Sequence, residues 1–333
     1  MPTVDAERKP DSTNEMKGQK THSQKWVWGK RILTAGFFVL VATLLFIAIK
    51  NIDWQEVKQV LMKYELKTLL LAGAVAATSL MIFSSYDLLA RQFAKHKLPT
   101  QQVLPLAFVS CVFTLNLAWI GGMASRFRLY SRLGLDTATI TKIVSANVIT
   151  NWFGYIILAG IIFSAGLLDL PDNWEIGTTA LQIIGVVLLL IASAYFLACR
   201  FSKRREFHIF KHSVNLPSFK FALMQAGLAS VNWSLMGLIL YILLLGKISY
   251  PTVLGILLIS SIAGVITHIP AGIGVIETVF ITMLQHQLSK GTVLAALIGY
   301  RAVYFLIPLA LAAVIYVVFE LTAKKSQLVT KEA

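Results

Sequence analysis

The sequence predicts an all-α polytopic membrane protein with about six full spans and two re-entrant, glycine-broken hairpins in a pseudo-inverted repeat. Three observations lead to this fold class. The 333 residues are 56% hydrophobic and 14% charged, whereas soluble proteins average roughly 45–50% apolar and about 25% charged residues. The apolar residues form windows of about 20, the length that crosses a bilayer. Two further windows end in glycine-rich breaks.

Six windows are predicted to cross the membrane completely, at residues 32–49, 66–85, 143–168, 178–198, 221–245 and 293–319. They predict one transmembrane domain at residues 31–320, between a basic cytoplasmic tail at 1–30 and a second cytoplasmic tail at 321–333. The net charge of +14 then lies in loops that flank the membrane. This distribution argues against a soluble nucleic-acid-binding protein.

The two remaining windows, 103–120 and 250–268, are expected to form hairpins near 103–133 and 250–287. If the first window crossed the membrane without returning, the arginines after it would lie outside and the acidic loop LDLPDNWE inside, against the positive-inside rule. A break at Gly121 and Gly122 restores the rule. The second window is expected to break between Pro270 and Gly274. Hairpins that enter from opposite sides are typical of inverted-topology repeats, and both termini then lie in the cytoplasm.

A short amphipathic helix is predicted between the first two spans, at residues 53–64. Its apolar side chains are spaced three and four apart, at Trp54, Val57, Leu61 and Tyr64. This spacing indicates a helix with one apolar face. A helix on the outer membrane interface and a helix that caps the bundle would both have this pattern.

The run PAGIGVIE at residues 270–277 is the most informative part of the sequence. Pro270 ends a helix, and Gly272 and Gly274 permit backbone conformations that a lipid-facing helix does not tolerate. A half-helix then starts near the membrane midplane with backbone N–H groups at its N-terminus. Such a terminus is expected to bind an anion such as a phosphate.

Two charged residues are expected to act with this half-helix. Glu277 lies in its first turn, where it is predicted either to cap the helix and bind an arginine or to act as a charge or proton switch, because intramembrane acids are costly and usually functional. Arg301 lies about 14 Å inside the last span. It needs a partner, for which Glu277 is the first candidate and a lipid phosphate the second.

The first hairpin carries a counterpart set in its tip and return arm. An arginine binds a phosphodiester well because its planar fork donates two hydrogen bonds at once. Interfacial anchoring is the alternative role, and it is favoured for Arg132. The candidate residues of this hairpin are Asn116, Gly121, Gly122, Arg126 and Arg128.

The sequence predicts no metal site, no cofactor and no catalytic motif. Cys111 and Cys199 are far apart and belong to no CxxC pair, so they predict neither a disulfide framework nor a zinc site. The remaining intramembrane polar side chains are expected to form hydrogen bonds between helices. They are Asn147, Asn151, Gln225, Asn232 and His268.

With these residues in place, the chain resembles a flippase-like transmembrane family related to the membrane half of lysylphosphatidylglycerol synthetases. The resemblance covers roughly residues 27–325. The family shows a Pro-small-Gly-x-Gly-x-x-Glu motif, an earlier Asn, Gly-Gly, Arg region and an arginine in the last long span. The matching residues are Pro270, Gly272, Gly274, Glu277, Asn116, Gly121, Gly122, Arg126 or Arg128, and Arg301. The small stand-alone bacterial inner-membrane members, which have no aminoacyl-transferase domain, are most similar.

The resemblance implies movement of a lipid with a phosphate or charged headgroup, without a cofactor. We expect a flippase-like transporter or scramblase of an anionic phospholipid or another lipid-linked phosphate, with a lipid-synthesising enzyme acting alongside. Two other functions stay open. One is a membrane scaffold that binds lipid without turnover. The other is an intramembrane lipid-modifying enzyme, for which Glu277 and His268 are the only nearby acid–base pair.

Overall fold

The computed structural model describes residues 54–168, 177–202, 206–209, 212–267, 269 and 272–332. Several predicted features lie outside the described residues: the basic tail at 1–30, the first span at 32–49, most of the acidic loop, His268 and Pro270.

Helices form almost all of the described chain. They are α1 (Trp54–Met62), α2 (Leu66–Ala94), α3 (Thr100–Arg132), α4 (Thr137–Ser164), α5 (Thr178–Phe201), α6 (Phe219–Leu243), α7 (Tyr250–Thr267), α8 (Val275–Leu284), α9 (Lys290–Arg301) and α10 (Ile307–Glu332), with a π-helical segment at Ala302–Leu306 between the last two. A two-stranded antiparallel hairpin, β1 (Glu206–Ile209) with β2 (His212–Asn215), lies in the basic connection before α6.

Within the described residues, seven stretches are long and apolar enough to cross a membrane. They are Leu66–Ala94, Thr100–Leu117, Thr137–Ser164, Thr178–Phe201, Phe219–Leu243, Tyr250–Thr267 and Lys290–Phe319. Five of them match predicted full spans, and the other two are the long arms of the predicted hairpins. The all-α, polytopic fold class is confirmed. The short β-hairpin was not predicted, and α10 stays helical beyond residue 320.

Helices α2, α4 and α6 pack closely against one another and are joined by buried polar side chains. Gln225 of α6 donates to Thr150 Oγ1 of α4 over 2.8 Å, and Ser79 of α2 donates to Asn232 Oδ1 of α6 over 2.8 Å. Asn147 of α4 donates to Asp87 of α2. The interhelical role predicted for these three amides is therefore observed, as expected where no water is present to satisfy a polar group.

Helix α3 extends from Thr100 to Arg132, but its two halves lie side by side. In a straight helix, Cys111 and Arg126 would be about 22 Å apart along the axis. Here Arg126 Nη2 lies 3.4 Å from Cys111 Sγ. At the two ends of the hairpin, the rings of His96 and Tyr130 are 6.0 Å apart. The chain therefore enters and leaves at the same end of the bundle.

The sequence predicted a break at Gly121 and Gly122, and this position is wrong by a few residues. The reversal falls just before them, near Leu117 to Ile120, and the glycines already belong to the return arm. A Cβ atom on Gly122 would lie 1.7 Å from Thr114 Oγ1 and 3.0 Å from the Ser110 carbonyl oxygen. The glycines therefore permit close approach of the two arms, and they do not form the turn.

The second hairpin consists of α7 and α8, which pack against each other. Near the reversal, a Cβ atom on Gly264 would lie 3.8 Å from Gly272 Cα. Gly272 has a φ of +58° and Gly274 a φ of +83°, in the left-handed region that glycine adopts without steric cost. These two residues end the irregular segment and start α8 in its own direction, as the sequence predicted.

The helix that follows is interrupted by a π-helical turn. Segment Ala302–Leu306 lies between α9 and α10, directly after Arg301. Single π turns inside α-helices frequently occur at functional sites. Among the described contacts, Phe305 of this segment accepts a 3.5 Å hydrogen bond on its carbonyl oxygen from Asn116 Nδ2, near the tip of the first hairpin.

Replacing Gly122 by alanine should destabilise the protein by about 1–3 kcal/mol, because the added methyl group collides with the first arm. Gly227→Ala is the matched control, since a Cβ atom there meets nothing within 4 Å among the described atoms and alanine is the better helix former. Thermal unfolding in detergent measures the difference. Equal unfolding temperatures for the two variants would contradict the close packing of the arms.

Candidate functional site

The irregular segment of the second hairpin positions Glu277 at the start of α8. The carboxylate folds back over its own helix end, where Glu277 Oε2 accepts a 2.8 Å hydrogen bond from the Gly274 N–H. A negative charge in the first turn is favoured there by the helix dipole. Gly274 is thus both the residue that turns the chain and the donor that holds the acid in place.

Glu277 is also the partner of Arg301. Arg301 Nε donates to Glu277 Oε1 over 2.5 Å and Arg301 Nη2 donates to Glu277 Oε2 over 3.1 Å. The same guanidinium donates to the Gly272 carbonyl oxygen over 3.4 Å and lies 5.7 Å from the centre of the Phe305 ring. This two-pronged pair is the first of the two arrangements that the sequence predicted for Arg301, and it joins the second hairpin to the last long helix.

The backbone amides expected to bind an anion are occupied within the protein. Gly272 N–H donates to the Ile269 carbonyl oxygen over 3.0 Å, and Gly274 N–H donates to Glu277. The binding of an anion at this helix start stays a prediction, and in the described state both glycine amides have partners within the protein. The physical reason is that buried donors need partners when no ligand is bound. The Glu277 carboxylate occupies the position that the sequence assigned to an anion.

A second ion pair holds the first hairpin, and one of its members, Asp87, was not predicted from the sequence. Arg126 of the return arm donates to Asp87 of α2 over 3.1–3.3 Å, through Nε and Nη2. Tyr130 O–H donates to Asp87 Oδ2 over 3.0 Å, and Asn147 Nδ2 donates to Asp87 Oδ1. Three kinds of donor therefore surround one buried carboxylate.

The sequence contains an indication that Asp87 lies inside the membrane. The predicted second span ends at residue 85, two residues before the acid in SSYDLL. Helix α2 instead continues to Ala94, which places Asp87 inside the bundle with none of its surface exposed. An acid one turn beyond an apolar window is a candidate intramembrane charge, because the span can be longer than 20 residues.

The other residues predicted for the first hairpin have different environments. Arg126 is only 5% exposed and fully engaged, so in this state it is not available to a headgroup as predicted. Arg128 is exposed, with its guanidinium 5.9 Å from the Tyr316 ring, and Arg132 is also exposed. Asn116 donates to the Val112 carbonyl oxygen over 2.9 Å as well as to Phe305. The structure does not bring Arg126 or Arg128 into direct contact with the Glu277 site in any described interaction.

The two ion pairs differ in exposure. The side chains of Arg301 and Glu277 are 20% and 18% exposed, whereas those of Arg126 and Asp87 are 6% and 0% exposed. Outside the spans, burial first and then the positive charge of Arg91 lower the pKa of His96, which keeps this residue neutral near the ends of the first hairpin. No group of three potential metal ligands occurs among the residues for which coordinates are described.

Comparisons with known proteins identify a family. The model of the lysylphosphatidylglycerol synthase TM region matches residues 33–312. The chain is 49% identical over 308 residues to the inner membrane protein YbhN of Escherichia coli, covering 92% of this chain and 96% of that protein. It is 33% identical over 265 residues to the uncharacterized protein slr0712 of Synechocystis, covering 75% and 80% of the two chains.

A third, more distant relative is a phosphatidylglycerol lysyltransferase of Staphylococcus haemolyticus. The identity is 20% over 296 residues, which cover 86% of this chain and 33% of the relative. The similarity therefore concerns one third of that enzyme's length.

The two ion pairs should contribute differently to stability. Asp87→Asn leaves Arg126 buried without a counter-charge, and we expect a loss of about 3–5 kcal/mol. Glu277→Gln should cost clearly less, because the side chain of its partner Arg301 is 20% exposed and is therefore not sealed inside the protein. Thermal unfolding of the two variants at matched purity gives the comparison.

The double variant Asp87→Asn/Arg126→Met is the control for this prediction. It removes the stranded charge and should regain part of the lost stability. If Glu277→Gln destabilised the protein as much as Asp87→Asn, the difference in solvation between the pairs would be contradicted.

Proposed function

This chain belongs to the family of the lysylphosphatidylglycerol synthase transmembrane region, and on that premise we propose that it is a flippase-like transporter or scramblase. Its substrate would be an anionic phospholipid or another lipid-linked phosphate, moved across the inner membrane. Family membership and the seven apolar stretches within the described residues support a multi-pass membrane protein related to lipid-modifying synthetases. The movement of lipid rests on the chemistry of the Glu277 site.

The observation that carries the proposal is the partly exposed pair of Glu277 and Arg301 at a helix start. The planar guanidinium of Arg301 donates two hydrogen bonds to the Glu277 carboxylate, which also accepts one from the Gly274 N–H. A phosphodiester offers the same ligand geometry, with two oxygens sharing one negative charge, and helix N-termini and arginine forks both bind it well. Glu277 therefore stands in for a lipid phosphate.

Transport then proceeds as an exchange of anions on Arg301. A headgroup phosphate displaces the Glu277 carboxylate, which moves toward solvent because its side chain is already partly exposed. When the lipid leaves, Glu277 returns and pairs with Arg301 again. Each state keeps the arginine paired, which avoids the large cost of an isolated charge inside the membrane.

The orientation of the chain follows from its charges. Phe93 at the end of α2 contacts Phe221 at the start of α6, and the first hairpin begins and ends at this side. The basic residues of this end include Arg91, Lys95, Lys97, Arg128, Arg132 and Lys220. The positive-inside rule assigns such an end to the cytoplasm, and we propose that both termini lie in the cytoplasm as well. A lipid-synthesising enzyme acting alongside would supply the substrate.

Reconstituted proteoliposomes test the proposal. Headgroup-labelled phosphatidylglycerol should change leaflet in the presence of the natural protein, and Glu277→Gln and Arg301→Ala should each reduce the rate at least tenfold. The matched control is Glu65→Gln, because Glu65 is an exposed acid between α1 and α2 and its loss should leave the rate unchanged.

The two variants should differ in lipid binding, which separates this mechanism from simple damage. Glu277→Gln removes the competing carboxylate, so phosphatidylglycerol should bind more tightly and raise the unfolding temperature further than in the natural protein. Arg301→Ala should abolish that stabilisation. Normal movement by Glu277→Gln would refute the mechanism. Binding without movement in the natural protein would favour the scaffold, and a new lipid species after incubation would favour an enzyme.

A further inference from the structure

The buried cluster around Asp87 and the Glu277 site each pair one arginine with one carboxylate, between a return arm and a spanning helix. The two sites differ in which of these elements carries the positive charge. We propose that it is a second phosphate-binding site, closed in this state, and that the two sites open in alternation. In the first hairpin the return arm supplies the cation Arg126 and the spanning helix supplies the anion Asp87. In the second, the return arm supplies the anion Glu277 and the spanning helix the cation Arg301. The proposal rests on the proposed function.

The donor set around Asp87 indicates what the site binds. Arg126, Tyr130 and Asn147 all direct hydrogen-bond donors at one carboxylate. If Asp87 withdraws, these donors surround a space suited to a singly charged oxyanion with several acceptor oxygens. A lipid phosphodiester has that chemistry, and a free phosphate monoester offers the same kind of acceptor oxygens with a charge nearer −2 at pH 7. Asp87 thus holds the place of a phosphate in the first hairpin, as Glu277 does in the second.

The difference in exposure indicates which site is open. Arg126 and Asp87 are sealed, while Arg301 and Glu277 are each about one fifth exposed. Both ion pairs connect a hairpin to a spanning helix, so opening either site requires its hairpin to move away from that helix. The described state is closed at the first hairpin and accessible at the second.

A hydrogen bond connects the first hairpin to the helix that carries Arg301. Asn116, close to the tip of the first hairpin, donates to the carbonyl oxygen of Phe305, four residues after Arg301. The intervening π-helical turn can convert to an α-helical turn with a shift of one residue, since π turns are single-residue insertions in the α pattern. Movement of the first hairpin is thereby transmitted to Arg301, which couples one site to the other.

Cysteine labelling tests this coupling without requiring any lipid movement, so its failure is distinguishable from failure of the proposed function. Cys111 is a natural reporter because it is completely buried and lies 3.4 Å from Arg126. Ile273, which is 47% exposed between the two glycines, is replaced by cysteine to report on the second hairpin. Cys199, buried in α5, reports unfolding. The probe is an anionic, water-soluble methanethiosulfonate, and each labelled cysteine is identified by peptide mass spectrometry.

Two variants open the first site by different routes. Asp87→Asn removes the counter-charge, and Tyr130→Phe removes one hydrogen bond between hairpin and α2 without leaving a charge unpaired. Relative to the Ile273→Cys background, Cys111 should be labelled at least tenfold faster in Asp87→Asn and by a smaller factor in Tyr130→Phe. Labelling at position 273 should be slower in both variants, and labelling of Cys199 should not change.

The coupling and the ligand have their own controls. Adding Asn116→Ala to Asp87→Asn should keep Cys111 reactive and restore the labelling rate at position 273. Bilayers of phosphatidylglycerol should protect Cys111 in Asp87→Asn relative to bilayers of a glucosyl diacylglycerol, which has no phosphate. Protection by added glycerol phosphate in the glucosyl lipid would identify a free phosphate ester as a ligand.

Three results would overturn the proposal. Unchanged labelling of Cys111 in Tyr130→Phe would show that this hairpin does not open as proposed. Faster labelling of Cys111 with no change at position 273 would refute alternation. The same protection by both bilayers, with none from glycerol phosphate, would refute a phosphate ligand at Arg126.

Discussion

A charge inside apolar surroundings has to be paired, and this constraint determines how the two hairpins are held. Removing an ion from water costs several kcal/mol even after relaxation, so neither Arg126 nor Arg301 is stable alone within the bundle. Each is matched with a carboxylate on a different element. The charge pairs therefore fix where each return arm lies against its spanning helix, and the apolar packing of the arms fills the space around them.

The constraint also explains the local backbone. Gly272 and Gly274 adopt left-handed conformations, which lets α8 begin with Glu277 directed at both Arg301 and the Gly274 N–H. In the first hairpin the glycines serve a different purpose, because Gly122 allows the arms to approach within the distance at which Arg126 reaches Asp87. In the second hairpin the glycines supply left-handed backbone conformations, and in the first hairpin Gly122 leaves room for the opposite arm. Both uses place a charged return-arm residue against a helix that crosses the bundle.

Much of this arrangement could be predicted from the sequence, and the limits are physical. Apolar window lengths and the distribution of basic residues predict the spans and both hairpins, since these signals are local or follow from loop charge. Arg301 as the partner of Glu277 was also predicted, because two opposite charges inside the membrane need each other.

Asp87 was not found, since its partner Arg126 is 39 positions away and a single sequence does not show which distant residues meet. The reversal before Gly121 was misplaced because close packing and chain turning both favour glycine.

An occupied site has an advantage over an empty one for moving a phosphate through a low-dielectric interior. An empty arginine cradle would pull in water or lose its structure, whereas a resident carboxylate keeps the charge balanced between cycles. A carboxylate and a phosphodiester each present two oxygens that share one negative charge, so exchanging one for the other replaces charge-assisted hydrogen bonds with similar ones. The free-energy change of the exchange is then small, because it is the difference between the interaction free energies of the carboxylate and of the phosphate with the arginine, which are both large.

A headgroup without an anionic oxygen cannot make this exchange, because it would leave both the arginine and the displaced carboxylate without compensation. Selectivity for phosphate would follow from the same pairing that holds the fold together.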